Sequence, residues 1–448
     1  MALITLILLI PFNNGIDIER IPSKKDVNDF LDSLECKINK DFFFQDCNIL
    51  QELLMRMDKI EYLENNGWLQ GAMAEFYNEM GIEYNQEDIE DFVNKLIFPN
   101  DVKNSIALIL FSYSQAIKNS KEEQIEGAIF TIDAIRKSLG ILMNYKLEEN
   151  IEGPYGLIMF GGRESSCFIG YKFIIDFGGD EIYLKNSNSF ILDLKGNDEY
   201  KNQGSIDGVN IVFDADGKDC YNNFPYSCNG TSLLFDIDGS DVYNGSVVVS
   251  KENGLSLLFD LEGNDVYIGK NYTQCYSNNG ISLLIDFRGN DYYNASSYSQ
   301  SSTLAGFSAL IDFEGDDIFF ALDYSQAYAT GLYKKGVAAF LNFEGNDFYK
   351  AGDYSQGYGE NFGVAFIFDF MGEDVYSAVK FSQASASLLG VAALLDADGR
   401  NRFSSKLFSQ GYMLGGIAFF MNNFEIRGNE DVLKFINYLD FDLSQFFP

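Results

Sequence analysis

The chain of 448 residues contains no histidine. This removes the commonest general base and the commonest transition-metal ligand. Every Ser-His-Asp, Cys-His and His-zinc mechanism is excluded with it. Basic residues are scarce as well: 32 Lys and Arg face 66 Asp and Glu, a net charge of −34. Nucleic-acid binding needs a basic surface, and so does an anionic membrane face. Cations, or a polyvalent cationic partner, are the natural counterparts of such a field. The six cysteines are Cys36, Cys47, Cys167, Cys220, Cys228 and Cys275. None forms a C-x-x-C pair, so neither a zinc ribbon nor a thioredoxin-like site is supported. Cys220 and Cys228 are near enough in sequence to pair, but isolated thiols are the expected state. Cysteine usage leaves cytoplasmic and secreted or cell-surface locations both open. The apolar run from Ala2 to Ile10 falls short of the about 20 residues of a membrane span. It has the length of a signal-peptide core, without a basic n-region or a clear cleavage site. Residues 1–20 are therefore set apart as an apolar, signal-like segment. Only six prolines occur, so long regular elements are allowed.

What is present is apolar and aromatic: 46% hydrophobic residues, with 41 Phe and 27 Tyr, too much for a disordered chain. Residues 21–150 carry apolar positions three and four apart, as in Gln51 to Leu63, Gly67 to Met80, Gln86 to Leu96, Val102 to Lys118 and Glu122 to Asn144. This period predicts an α domain of five or six helices, with Asn100 or Asp101 capping one of them. Nothing in it spells a catalytic motif. After Ile151 the helical period vanishes and short apolar runs alternate with Gly, Asn, Ser and Tyr.

Residues 151–427 repeat the string G-x-x-x-x-x-D-x-x-G-x-D-x-Y. One full copy runs from Gly254 through Asp260, Gly263 and Asp265 to Tyr267. The first Asp recurs as Asp176, Asp193, Asp214, Asp236, Asp260, Asp286, Asp312, Asn342, Asp369 and Asp396, with Gly three residues after each. Five residues after it the column is Asp, except at Glu181 and Asn401. Seven residues after it the column is Tyr, or Phe at Phe319 and Phe403. The spacing grows from 17 residues between Asp176 and Asp193 to 27 between Asp369 and Asp396. The longer units add a Gln column: Gln274, Gln300, Gln326, Gln356, Gln383 and Gln410.

A unit this short cannot bury its own apolar face, so neighbours must stack. A stretch such as Gly306–Ile311 reads as a short strand. The following Asp and Gly read as a tight turn, with Gly supplying positive φ. Propeller blades need about 40 residues, and no six-residue subperiod marks a left-handed hexapeptide helix. The expected fold is α plus β-solenoid: a helical domain followed by a right-handed parallel β-helix of about ten coils. Residues 428–448, with Val432, Leu433, Ile436 and Leu439, read as a C-terminal cap that covers an otherwise exposed strand edge.

The Asp-x-x-Gly-Asn-Asp-x-Tyr units, as in Asp260 to Tyr267 and Asp193 to Tyr200, resemble those of uncharacterised microbial repeat proteins with helical N-terminal regions. That resemblance covers most of the chain and implies a fold rather than an activity. Gly263-Asn264-Asp265 is more distantly similar to calcium-binding RTX repeats. The chain departs from these in lacking a second Gly-Gly-x-Gly block and a nine-residue subperiod, so calcium does not carry over from that family.

Equal charges stacked at about 4.8 Å repel by about 0.9 kcal/mol per neighbouring pair even at the dielectric of water. Two answers are open. Asp side chains can accept backbone N–H groups in Asx-turns. Alternatively, the acidic columns can ligate calcium, which takes six to eight oxygens. The candidate metal ligands on that reading are Asp236, Asp241, Asp260, Asp265, Asp286, Asp291, Asp312, Asp317, Asp369 and Asp374. The Tyr column is expected to pack rather than to form a sugar platform, and the Gln column to form amide ladders. Paired carboxylates suffice for glycoside hydrolysis without histidine. A catalytic pair should depart from the repeat, and Asp323 and Asp353, each before Tyr-Ser-Gln and one coil apart, are the candidates. The functional expectation is a non-enzymatic acidic scaffold or interaction protein, stabilised by divalent cations, with a protein or glycan partner. The alternative is a carbohydrate-active β-helix enzyme or glycan-binding protein.

Overall fold

In the computed structural model, residues 68–117, 121–201, 204–331 and 335–422 are described. The signal-like segment 1–20, the helical stretch Gln51 to Leu63 and the C-terminal cap 428–448 lie outside them, as do Cys36 and Cys47. The described chain forms two units, one helical and one β.

The helical unit contains α1 (Trp68–Glu79), α2 (Gln86–Lys95), α3 (Asn100–Ala116) and α4 (Lys121–Leu142). Each matches a segment of 3.6-residue period. The side chain of Asn85 caps α2, accepting from the Glu87 N–H at 3.1 Å. Glu87 and Asp88 in its first turn and Lys95 in its last complement the helix dipole. The expected cap of α3 is corrected. That helix begins at Asn100 with Pro99 at the N-cap and no side-chain cap bond, because the proline ring carries no acceptor; Asp101 instead accepts the Val102 N–H within the first turn, at 2.9 Å. Met73, Phe76, Ile106, Ile109, Leu110 and Ile135 are fully buried and form this unit's interior. Among the described residues no helix is long and apolar enough to cross a membrane.

From Ile151 onward the chain is a parallel β-solenoid of about eight full turns, slightly fewer than the ten expected because the first turns lack a third side. Each full turn has a long strand, such as Leu255–Asp260, and a short aromatic strand, such as Val266–Ile268. The third strand follows a corner. It stands alone in Tyr226–Cys228 and fuses with the long strand in Tyr276–Asp286 and Ser302–Asp312. The stretch at Gly306 is therefore part of an 11-residue strand, its bend absorbed by the positive φ of Gly306 and register shifts between neighbours. Long and third strands share a 20-stranded sheet, and aromatic strands form an 11-stranded one.

At the first acidic column the register is unbroken along the repeat. Asp236 pairs with Asp260, Asp260 with Asp286, Asp286 with Asp312, Asp312 with Asn342, and Asn342 with Asp369. Slipping one coil by a residue would turn its inward Leu, Tyr and Asp outward and break every ladder they form, so pattern alone pins the pairing. Inside, Leu234, Leu258, Leu284 and Leu310 face the buried column Tyr221, Tyr243, Tyr267 and Tyr293. These rings stack nearly parallel, with Tyr243 to Tyr267 centroids 4.5 Å apart and Tyr267 to Tyr293 4.3 Å. Burying each large side chain contributes about 1.5–3 kcal/mol, and each aromatic pair adds about 0.5–1.5 kcal/mol. Buried on both faces, the Tyr column packs as expected and offers no ring to a sugar.

The Gln column builds the corner. Tyr324 and Gln326, like Tyr354 and Gln356, adopt left-handed φ between 50° and 57°, an unfavourable conformation for bulky side chains. The amide ladder offsets that strain. Gln326 Nε2 donates to Gln300 Oε1 at 3.0 Å and to the Phe319 carbonyl at 2.9 Å, and Gln356 Nε2 donates to Gln326 Oε1 at 3.1 Å.

Candidate functional site

Each first-column Asp ends a long strand with its carboxyl turned inward. Asp214, Asp236, Asp260, Asp286 and Asp312 are completely buried. Their Oδ2 atoms accept phenolic hydroxyls. Tyr200 donates to Asp214 at 2.5 Å, Tyr221 to Asp236 at 2.6 Å, Tyr267 to Asp286 at 2.7 Å and Tyr349 to Asp369 at 2.8 Å. In each case the hydroxyl comes from the aromatic strand of the preceding turn. The same hydroxyl also lies near its own turn's Asp, as Tyr221 does at 3.2 Å from Asp214. A phenol has one proton to give, so each carboxylate depends on a donor it shares.

The second column uses one oxygen to join neighbouring turns. The Asp219 N–H donates to Asp241 Oδ1 at 2.6 Å, Asp241 to Asp265 at 2.6 Å, Asp265 to Asp291 at 2.6 Å and Asp291 to Asp317 at 2.7 Å. Asn401 fits here because only a carbonyl oxygen is needed; it accepts from Asp374 N–H at 2.7 Å. The Gly column serves this ladder as well as supplying the expected positive φ, which holds at Gly179, Gly289, Gly315, Gly345, Gly372 and Gly399. At Gly196, Gly217, Gly239 and Gly263 a Cβ would collide with the second-column carboxylate of the same turn, whatever the φ. The glycines make room for oxygen atoms.

One oxygen of each carboxylate remains without a donor: Oδ1 of Asp214, Asp236, Asp260, Asp312 and Asp369, and Oδ2 of Asp219, Asp241, Asp265, Asp291, Asp317, Asp347 and Asp374. Asx-turns of the expected kind occur at Asp176, which accepts Gly178 N–H at 2.8 Å, and at Asp193, which accepts Lys195 N–H at 3.1 Å. Asp193 and the acids farther along the rod also come together in triads. Asp219, Asp236 and Asp241 each place a carboxylate oxygen within 4.8 Å of the others, and so do Asp241, Asp260 and Asp265, and Asp265, Asp286 and Asp291. Five such buried triads and two more occur among the described residues. Each second-column Asp belongs to two successive triads, so the cradles are shared between turns.

Every candidate ligand singled out from sequence lies in these two ladders. Glu181, Asp193, Asp198, Asp214 and Asp219 form the first two triads and were not singled out, although they obey the same offsets. The contribution of Tyr was missed as well, because its hydroxyl is given to the next turn rather than to its own motif.

Burial dominates the acid chemistry. It pushes Asp347 up to about 10, helped by the charges of Asp317 and Asp369. Asp396 is pushed up to about 8 by burial and by Asp369. Asp265 and Asp291 rise for the same reason, burial first and Asp286 next. Asp286 rises least among these neighbours, because Tyr267 and Tyr293 donate to it. At an effective dielectric of 20, two full charges about 4.8 Å apart repel by about 3.5 kcal/mol. A ladder of bare carboxylates is therefore untenable, and each turn requires a proton or a cation between its acids. The donors are all oxygens, the set preferred by hard cations such as calcium. The cradles fit such an ion, since each gathers three buried acidic side chains, most with an oxygen that no donor meets.

Asp323 and Asp353 are neighbours, as their one-coil separation predicts. Asp323 is exposed, and its Oδ1 accepts the Asp353 N–H at 2.7 Å. Asp353 pairs with Lys380 at 3.1 Å. Both carboxylates thus already serve the turn and an ion pair. Cys167, Cys220, Cys228 and Cys275 are free thiols. No protein-family model, no curated protein and no solved structure matches this chain.

Proposed function

We propose that the protein is a non-enzymatic β-solenoid scaffold whose internal acid ladder is held by divalent cations and whose outer face engages a partner. The observation that carries this reading is the row of buried carboxylate oxygens without donors, repeated turn after turn. A group recurring in every turn maintains the rod; a catalytic group would break the pattern. Support for a partner comes from the outer turns of the last coils. Phe362, Leu388 and Leu389 are about 60% exposed, at 61%, 59% and 62%, and all adopt positive φ. Polar Glu252, Asn253 and Asn279 hold positive φ at turns in earlier coils, so the apolar replacements favour contact with another surface. Calcium added to chelator-treated protein should raise the melting temperature by at least several degrees. Equal melting curves with chelator and with calcium would remove the cations from this reading.

A glycan-binding reading is favoured by one observation. Tyr298, Tyr324 and Tyr354 form a partly exposed stack beside Asp323 and Asp353, with centroids 4.8 Å and 5.0 Å apart. On this reading a glycan array gives a hit that Asp323→Asn weakens at least tenfold. An unaltered hit would acquit the pair.

A further inference from the structure

Most aromatic-strand Tyr hydroxyls reach the first-column Asp of the next turn, although Tyr293 lies nearer its own turn's Asp286, at 2.9 Å, and Tyr376 donates to its own turn's Asp369 at 2.8 Å. Tyr183 serves Asp193, Tyr200 Asp214, Tyr221 Asp236, Tyr243 Asp260, Tyr267 Asp286, Tyr293 Asp312 and Tyr349 Asp369. After Tyr183, two turns depart from this pattern, and each departs twice. Phe319, which has no hydroxyl, precedes Asn342. Phe403 precedes Asn422, which pairs in register with Asp396. Phe168, at the start of the aromatic column, still precedes an acid, Asp176; beyond it, a missing phenol goes with a missing acid.

Asn342 is completely buried, and neither its Oδ1 nor its Nδ2 has a partner. It stands where every neighbour in register carries a carboxylate. An ordinary turn supplies two carboxylates, which balance one divalent ion. The turn of Asn342 supplies only Asp347. A divalent ion there would be left with excess positive charge, in an interior where uncompensated charge is expensive.

Resting on the scaffold reading above, we infer that each inter-turn cradle takes one calcium-class divalent cation and that the row of ions is interrupted at Phe319 and Asn342. A long row then runs through the cradles from Glu181 to Asp317, and a separate site lies at Asp347, Asp369 and Asp374. Each ion is held by the first-column Asp of one turn and the second-column Asp of that turn and the one before. Phe319 and Asn342 act together as an insulator: the amide lowers the negative charge, and the phenyl ring withdraws the hydroxyl that a carboxylate there would require.

The test is calcium stoichiometry of the full chain, measured by equilibrium dialysis after chelator treatment with calcium as the only divalent ion. The double variant Phe319→Tyr with Asn342→Asp restores the pattern and should bind one more calcium per chain than the natural protein. The double variant Tyr243→Phe with Asp260→Asn copies the natural gap into the long row and should bind one fewer. Copying a combination the fold already tolerates guards against misfolding, and circular dichroism of both variants checks it. An unchanged stoichiometry in either folded variant, while the natural chain binds calcium, overturns the inference and leaves the scaffold reading intact. Absence of calcium binding by the natural chain overturns both.

Discussion

Gly345→Ala is expected to destabilise the solenoid by on the order of 3 kcal/mol or more, combining overpacking against rigid backbone with a disfavoured φ. Gly345 has a φ of +152°, and a Cβ there would be driven into the carbonyl group of Gly315 one turn away. Backbone cannot swing aside as a side chain would, because the same turn is tied by the Asp317 N–H bond to Asp347, 2.7 Å long. The damage should be local, since solenoid turns interact with nearest neighbours. Hydrogen exchange should accelerate between Gly315 and Gly372 before it does near Gly217. Gly170→Ala provides the contrast. Its φ is +76° but nothing lies within 4 Å of the new methyl, so its cost should stay near about 1 kcal/mol. Equal losses for the two variants would show that φ, not the close approach of successive turns, sets the Gly column.

The second large effect is an inverted pH dependence of the cation-free protein. Asp347 and Asp396 hold protons up to about 10 and about 8 in the folded chain, against an ordinary carboxylate value of 3.8. Between these limits the folded state binds more protons than the unfolded one. Stability is therefore greatest at low pH and is lost as pH rises from about 4 through 8 to 10. Each carboxyl protonated only in the folded state contributes a slope of about 1.4 kcal/mol per pH unit. Most proteins lose stability toward acid; this one, in chelator, should lose it toward alkali. Saturating calcium should flatten the curve above neutrality, because the ion replaces the proton between the acids. Thermal melts from pH 5 to pH 9 with and without chelator measure both limbs. Melting temperatures that rise with pH in chelator would contradict proton retention by the ladder.

Much of this protein is legible without coordinates. Helices α1 to α4 follow from 3.6-residue periods, and the stacked turns follow from Asp, Gly, Asp and Tyr at fixed offsets, because a unit of 17 to 30 residues has no other way to bury Leu and Tyr. The Gln amide ladder and the adjacency of Asp323 and Asp353 follow from the same stacking. The cap of α3 was misplaced, since Asn100 and Pro99 compete for the same few positions and local preference separates them weakly.

The acidic columns divide what spacing fixes from what geometry decides. Their repetition alone established that successive turns bring like charges together, a consequence of one-dimensional spacing. Which oxygen meets a donor was decided only in three dimensions. Asp193 meets donors at both oxygens, the Lys195 N–H and the Tyr183 hydroxyl, and Asp176 meets the Gly178 N–H with Oδ1 but leaves Oδ2 bare, whereas Asp236, Asp260 and Asp312 leave Oδ1 bare. The Tyr hydroxyl is given across turns, so Tyr243 belongs with Asp260 rather than with the Asp236 of its own motif. Offsets along a chain record what lies within a turn. The cradles lie between turns, where hydrogen-bond direction and burial, rather than spacing, determine which charge is left to be met.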